Sequence, residues 1–238
     1  MPRQRQSNFN NRLLAALSPE DFARFEPHLE PIRLAVKDDL VLPDVPIAHV
    51  HFMETGLASI VAATPDGERA EVGHVGREGM TGLSVVHGAG SSSNHAFIQV
   101  AGSALRVRSE VVREAFDASA TVRGVLLRYA QCLLVQVEQA ALANGRYSIQ
   151  ERLARWLLMC QDRLDGDDLP LTHEFLALML GVRRPGVTEA IHLLEGVQIV
   201  SARRGHVKVL DRARLEEVAG GCYGVPEREY ERLLGRAG

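Results

Sequence analysis

The chain is poor in cysteine, nearly without lysine, and has no long apolar run. Its three cysteines, Cys132, Cys160 and Cys222, lie far apart with no Cys-x-x-Cys pair. That spacing argues against a disulfide framework and against a cysteine-rich metal site. No stretch approaches the roughly 20 apolar residues of a membrane span. The opening Met1-Pro2-Arg3-Gln4-Arg5-Gln6-Ser7 leads into no apolar secretory region, so a cytoplasmic location is expected. What remains is ordinary: 238 residues, 46% apolar and 24% charged. Such a chain is globular, of one or two domains, and long enough to bury its cores without staples.

The formal net charge of −3, from 27 Lys+Arg and 30 Asp+Glu, speaks against nucleic acid on average. The average hides a separation. Residues 1–144 carry 13 bases and 16 acids, and residues 145–238 carry 14 of each. Between Asp162 and Glu174 there are five acids and one base. Between Arg183 and Arg214 there are seven bases (Arg183, Arg184, Arg203, Arg204, Lys208, Arg212, Arg214) against Glu189, Glu195 and Asp211. A charge run is ordinarily a solvated face, so the pattern around it must decide. Of the 27 bases 25 are arginine, which suits bidentate contacts.

Ser18-Pro19-Glu20-Asp21 has the form of a helix start, with a capping Ser, Pro at the first helical position and acids at the positive end of the dipole. From about residue 31 to 107, short apolar runs alternate with turn signals, the texture of an antiparallel sandwich or barrel. Asp66-Gly67 marks a hairpin between 57–63 and 69–72. Between Thr121 and Ala143 the pattern becomes helical. Leu126, Tyr129, Leu133, Val137 and Ala140 form a seam flanked by further apolar residues. A helix apolar over so much of its surface must be buried on several sides, by its own domain and by a second copy, or else as a single core helix. Asn144-Gly145-Arg146-Tyr147 is read as its end, and Ser148 with Glu151 as a capping box opening the next helix. That helix carries Leu153, Trp156, Leu157 and Cys160 on one face. The expected division is therefore 1–120, a dimerisation helix over 121–144, and 145–238.

The stretch 171–210 is the most specific. Thr172 caps a short helix over 173–180; Gly181-Val182-Arg183 makes a tight turn; a second helix opens at Pro185. Ala177, Gly181 and Val187 have the spacing of a helix-turn-helix, with a small residue at the crossing, a turn residue free to take positive φ, and a packing residue. Leu176, Leu180, Val182 and Ile191 complete its core. The second helix is then a recognition helix whose first residues face base edges. Arg184 suits guanine O6 and N7, Glu189 suits cytosine N4, and Arg183, Pro185 and Thr188 lie beside them. Residues 199–201 and 207–209 read as two short strands around Arg203-Arg204-Gly205-His206, the wing of a winged helix. The DNA-facing set is Thr172, Arg183, Arg184, Pro185, Thr188, Glu189, Arg203, Arg204, His206 and Lys208, the wing bases meeting phosphate. A winged helix used only for protein contacts is the blander reading. The bases, however, sit on the two elements that touch DNA in this motif.

With these motifs the chain resembles the CRP/FNR family of bacterial transcription regulators over essentially its full length. His51-Phe52-Met53-Glu54-Thr55-Gly56-Leu57-Ala58-Ser59 is similar to that family's early barrel strands. Asp66-Gly67-Glu68-Arg69 and Val75-Gly76-Arg77-Glu78-Gly79-Met80 are similar to the following hairpin and turn. Glu151-Arg152-Leu153-Ala154-Arg155-Trp156-Leu157-Leu158 resembles the first helix of its DNA-binding domain. The resemblance implies an α+β chain: an antiparallel β jelly-roll (cyclic-nucleotide-binding-like) sensor, a long dimerisation helix and a winged helix-turn-helix. It implies as partners a palindromic operator in double-stranded DNA, a second copy of the chain and RNA polymerase. It also implies a transcription regulator, not an enzyme. Nucleotide-binding members share a Gly-Glu-Leu-Ala turn and a following Arg that takes the cyclic phosphate. Here Met80 stands at the Glu position of Gly79-Met80-Thr81-Gly82-Leu83, and Ser91-Ser92-Ser93-Asn94-His95-Ala96 offers no Arg. Cyclic nucleotide is therefore not expected. The iron–sulfur cluster of other members is not expected either, because no cysteine precedes Cys132. Gly79, Met80, Thr81, Gly82, Leu83, Asn94 and His95 remain candidates to line an effector pocket. Pro185 and Glu189 depart from the family's recognition helix, so the half-site is expected to differ from the familiar one.

A second class of function rests on His49-Val50-His51 with Glu54, since His-x-His on a strand puts both rings on one face. A cupin-like metal enzyme with an appended winged helix would use such a site. The spacing to Glu54 is short, Pro43 stands where the cupin motif has Gly, and no second motif follows. Solvent-facing histidines are the better expectation, and no metal is assigned. His74, His87 and His95 fall in the expected effector region, and Cys132 is either a redox switch or a small hydrophobe.

Overall fold

The computed structural model describes residues 6–235. Short helices α1 (Arg12–Ala15) and α2 (Pro19–Phe25) precede strands β1 (Glu30–Leu34), β2 (Asp39–Val41), β3 (His49–Ala63), β4 (Arg69–Val75), β5 (Met80–Thr81) and β6 (His95–Arg108). Helices α3 (Ser109–Ala118), α4 (Ala120–Arg146) and α5 (Ile149–Gln161) follow. The last part runs β7 (Asp168–Leu169), α6 (His173–Leu180), α7 (Arg184–Gly196), β8 (Val200–Arg203), β9 (His206–Val209), α8 (Arg212–Ala219) and α9 (Val225–Leu234). This is the α+β architecture expected, a β-roll followed by helices and a winged helix-turn-helix. Among the described residues no helix is long and apolar enough to cross a membrane.

Ser18 accepts from the Asp21 N–H at 3.1 Å, with Pro19 at the first position of α2, as its residue types dictate. The large sheet has the order β1-β6-β3-β4, with β2 also on β6 and β5 on β3. Apolar residues of its strands meet Leu13, Leu14, Phe22, Phe25, Val122, Val125, Leu126 and Tyr129 in one core. The chain folds as two compact units. One holds the described residues up to Ile60, His74–Leu134 and those from Arg228 on; the other holds Val61–Gly73 and Val135–Glu227. The division thus falls inside α4 instead of at Asn144, and α9 groups with the first unit although it follows the winged helix in sequence.

Helix α4 continues through Asn144 and Gly145 to Arg146. Glycine in a helix costs only about 1 kcal/mol relative to alanine. The helix stops where Ser148 and Glu151 form the reciprocal capping box that opens α5. In the second unit, α5 buries Leu153, Trp156, Leu157 and Cys160. Trp156 Nε1 donates to Glu71 Oε1 at 2.7 Å, fixing α5 to the tip of the β3–β4 hairpin within that unit.

The histidine expectation needs correction. His51 is buried, with Nδ1 3.3 Å from the Thr81 hydroxyl. Burial, with neighbouring His49 and Arg106 adding to it, holds its pKa down at about 4. His51 is only 7% exposed, so the face of β3 that carries it is covered at this point. His74 is buried too.

Candidate nucleic-acid interface

Thr172 accepts from the Phe175 N–H at 3.2 Å and caps α6. The helix ends at Gly181, whose φ of 60° lets the chain reverse; its N–H donates to the Leu178 carbonyl and that of Val182 to Ala177. From α5, Arg152 donates to the Leu180 carbonyl at this turn. Helix α7 opens at Arg184, one residue before the expected Pro185, which sits in its first turn. Val187, Ala190, Ile191 and Leu194 face the core. The remaining face is open: Arg184, Pro185, Thr188, Glu189, His192 and Leu193 line one recess. Arg183, Arg184, Pro185 and Glu189 are exposed.

Beside α7, β8 and β9 pair from Val200↔Val209 to Arg203↔His206, leaving Arg204 and Gly205 at the tip. The Glu195 carboxylate at the end of α7 accepts from the Ala202 N–H at 2.7 Å and ties this wing to the helix. Arg203, Arg204 and Lys208 are exposed. The seven-base stretch divides physically. Arg212 is engaged by Asp162 (2.8 Å), Glu216 (2.9 Å), Gln161 and Tyr223, and Arg214 donates to the Val197 carbonyl at 2.9 Å. The five bases of the recognition helix and wing face solvent instead.

Two predicted contacts are already engaged by the fold. Thr188 is half-buried, and its hydroxyl donates to the Arg184 carbonyl at 3.2 Å and lies 3.0 Å from His173 Nδ1. Partial burial, with the Arg184 charge, lowers the His173 pKa. His206 lies 3.2 Å from Asp168, which also stands opposite Lys208 in the small sheet. Sequence reasoning passed over His192 and Leu193, which extend the open face of α7 by about one further turn. Their positions, eight and nine after Arg184, carried the signal.

Residues 151–218 match the model of the Crp-like helix-turn-helix domain. The chain carries a Crp-like helix-turn-helix domain and has a CRP/FNR fold. A CRP/FNR-family transcriptional regulator from Eubacterium rectale is similar in structure at TM-score 0.69 and 17% identity, over 87% of this chain and 97% of that one. FixK2 from Bradyrhizobium japonicum is similar at TM-score 0.71 and 20% identity, over 81% of this chain and 98% of that one. The CRP-family regulator TTHB099 from Thermus thermophilus is similar at TM-score 0.67 and 20% identity, over 80% and 97%. No curated protein sequence matches the chain. The cupin-like alternative finds no support, and among the described residues no three His, Cys, Asp or Glu side chains gather as metal ligands.

The expected effector turn is built differently from a ligand site. Met80, Thr81 and Gly82 are buried. A Cβ on Gly79 would overlap the Tyr129 hydroxyl, which itself donates to the Met80 carbonyl at 3.1 Å. The Glu78 carboxylate accepts from the Gly76 N–H at 3.1 and 3.2 Å, placing negative charge within the turn. Leu83 is half-buried against the core, and Asn94 donates its N–H to Ser92. His95 pairs with Asp39 at 2.7 Å and packs on Phe97. These residues do not fit a cyclic nucleotide: Met80 is buried, and Tyr129 fills the space beside Gly79.

Two of the five residues expected in a dimer seam on α4 are taken by the core. Leu126 and Tyr129 are 2% and 3% exposed, buried in the first unit's own core. Leu133, Val137 and Ala140 are partly buried. The side left to solvent carries Leu127 (46% exposed), Leu134 (50%) and Ala141, spaced by sevens, with Ala130 and Val137 between them. A helix apolar on both sides offers two seams, and periodicity alone does not say which one its own domain takes. Burial holds the Cys132 thiol at a pKa of about 11, so it is a protonated small hydrophobe and a poor redox centre.

Proposed function

We propose that two copies of the chain pair along the Leu127–Leu134–Ala141 side of α4 and read an inverted-repeat operator in the cytoplasm. Each copy inserts the first turns of α7 into a major groove, with half-site centres about 34 Å apart. Arg184 reads guanine O6 and N7, Glu189 takes the cytosine amino group, and Leu193 offers an apolar surface to a thymine methyl. Arg183, Arg203, Arg204 and Lys208 meet phosphate, fixing register and supplying salt-dependent affinity. Thr172, Thr188 and His206 act mainly through the cap, the α6–α7 tie and the wing base. The chain is divided in function as sensor (1–120), dimer helix (121–144) and DNA-binding part (145–238), the last carrying α9 back to the sensor. It works without catalysis, regulating transcription with RNA polymerase as its onward partner and with an effector, where one acts, reaching the sensor.

One observation carries this reading. Arg184 and Glu189 at the start of α7 and the three wing bases are exposed, while the cationic groups nearby that fold stability needs are paired internally. Selection of bound duplexes from a random pool, at moderate salt and with the full chain, tests it. An enriched inverted repeat held by two copies is the expected result. A pool without enrichment, or a complex with one copy, overturns the reading.

A further inference from the structure

Four consecutive carbonyls, those of residues 77 to 80, each accept a hydrogen bond from a distant part of the chain. The Arg12 N–H donates to Arg77 O at 2.8 Å. The Tyr230 hydroxyl donates to Glu78 O at 2.8 Å. Asn11 Nδ2 donates to Gly79 O at 2.8 Å, and the Tyr129 hydroxyl donates to Met80 O at 3.1 Å.

The two tyrosines give this turn its meaning. Tyr129 is on α4, the helix through which the chain enters the Crp-like domain at 151. Tyr230 is on α9, the helix into which the chain runs after that domain ends at 218. Both covalent connections of the DNA-binding domain therefore end on neighbouring carbonyls of one turn in the other unit. Around them Arg12 stacks over the Tyr230 ring at 6.0 Å, and Tyr230 and Leu234 pack against the sensor core. Gly79 is required because any side chain there would displace the Tyr129 hydroxyl.

We propose that the 77–80 turn is a coupling node. Tyr129 and Tyr230 hold it in place of a ligand, and the node transmits the state of the sensor to the DNA-binding domain along both of its tethers. A change at this turn alters two restraints on the domain at once. By reciprocity DNA bound at α7 alters the turn to the same extent. The effect on DNA rests on the interface proposed above; the effect on the free protein does not.

Hydrogen exchange on the full, DNA-free chain tests the node, comparing wild type with Tyr129→Phe and Tyr230→Phe, each of which removes only a hydroxyl. The expected result is exchange faster by threefold or more in peptides covering residues 184–209, far from either substitution in sequence. The affinity for the selected duplex shifts by at least threefold as well, with an unchanged salt slope. Changes confined to residues 77–81 and the adjoining parts of α4 and α9, with affinity unaltered, overturn the proposal. Because exchange is read without DNA, a chain that selects no duplex refutes the interface while the node is still judged. Should a variant fail to fold, wild-type exchange with and without DNA decides. Altered protection around residues 77–81 on binding supports the node, and identical protection overturns it.

Discussion

The open face of α7 with its wing, and the 77–83 turn of the sensor, are the two regions whose residue types suggested a ligand. They use their polar groups in opposite ways. On α7 and the wing, Arg184, Glu189, Arg203, Arg204 and Lys208 stand exposed while the helix caps, the Gly181 turn and the Glu195 tie are satisfied by other atoms. In the turn, successive carbonyls are occupied by Arg12, Tyr230, Asn11 and Tyr129, and the Gly76 N–H is taken by Glu78. Groups the fold does not need are free to bind; groups it has already bonded are structural, whatever their kinship in other proteins. Thr188 and His206 fall between the two, exposed enough to approach DNA yet held by His173 and Asp168.

The largest expected effect sharpens the open side. Arg183 and the three wing bases in each of two copies meeting phosphate give a loss of about 10⁴ in affinity between 50 and 200 mM salt. A slope near zero in a salt titration would remove the wing from the interface. Next, Gly79→Ala should cost about 3 kcal/mol, because its methyl displaces Tyr129 from a packed core. The same change at Gly196, on α7 with nothing within 4 Å, should be neutral or gain up to about 1 kcal/mol. Thermal melts of the two variants compare closed and open regions directly, and equal costs would break the distinction.

A smaller effect comes from His51, inside the closed unit. Its folded pKa of about 4 lies below the ordinary 6.5, so between these values the unfolded chain binds the proton and the folded chain resists it. Its contribution is full above pH 6.5 and is lost as pH falls toward 4. Between pH 7 and pH 5 this amounts to about 2 kcal/mol. His51→Gln should flatten that part of the stability profile in denaturant melts. An unchanged profile would mean that the ring is wet.

Much of the DNA-binding half was legible in the sequence because its signals are local. The Thr172 cap, Gly181, Pro185 and the Arg204-Gly205 tip each act within a few residues of themselves. The capping box at Ser148 and the Asp66-Gly67 hairpin were legible for the same reason. Leu126 and Tyr129 were placed in a dimer seam because α4 is apolar on two sides and only tertiary packing assigns these two residues to the core. The closure of the 77–80 turn left no trace in local pattern, since its donors come from residues 11, 12, 129 and 230. His51 looked exposed because alternation on a strand says which residues share a face, not whether that face is covered.

The central claim is that base choice lies on the open face of α7 and phosphate affinity in the wing. Binding of Arg184→Ala and Arg204→Ala to every single-base variant of the selected site measures this most directly. Arg184→Ala should lose discrimination worth about 1–3 kcal/mol at one base pair of each half-site and leave the other positions unchanged. Arg204→Ala should weaken all sequences alike and reduce the salt slope by about one per half-site. Uniform weakening by Arg184→Ala, with every base preference intact, would contradict the account.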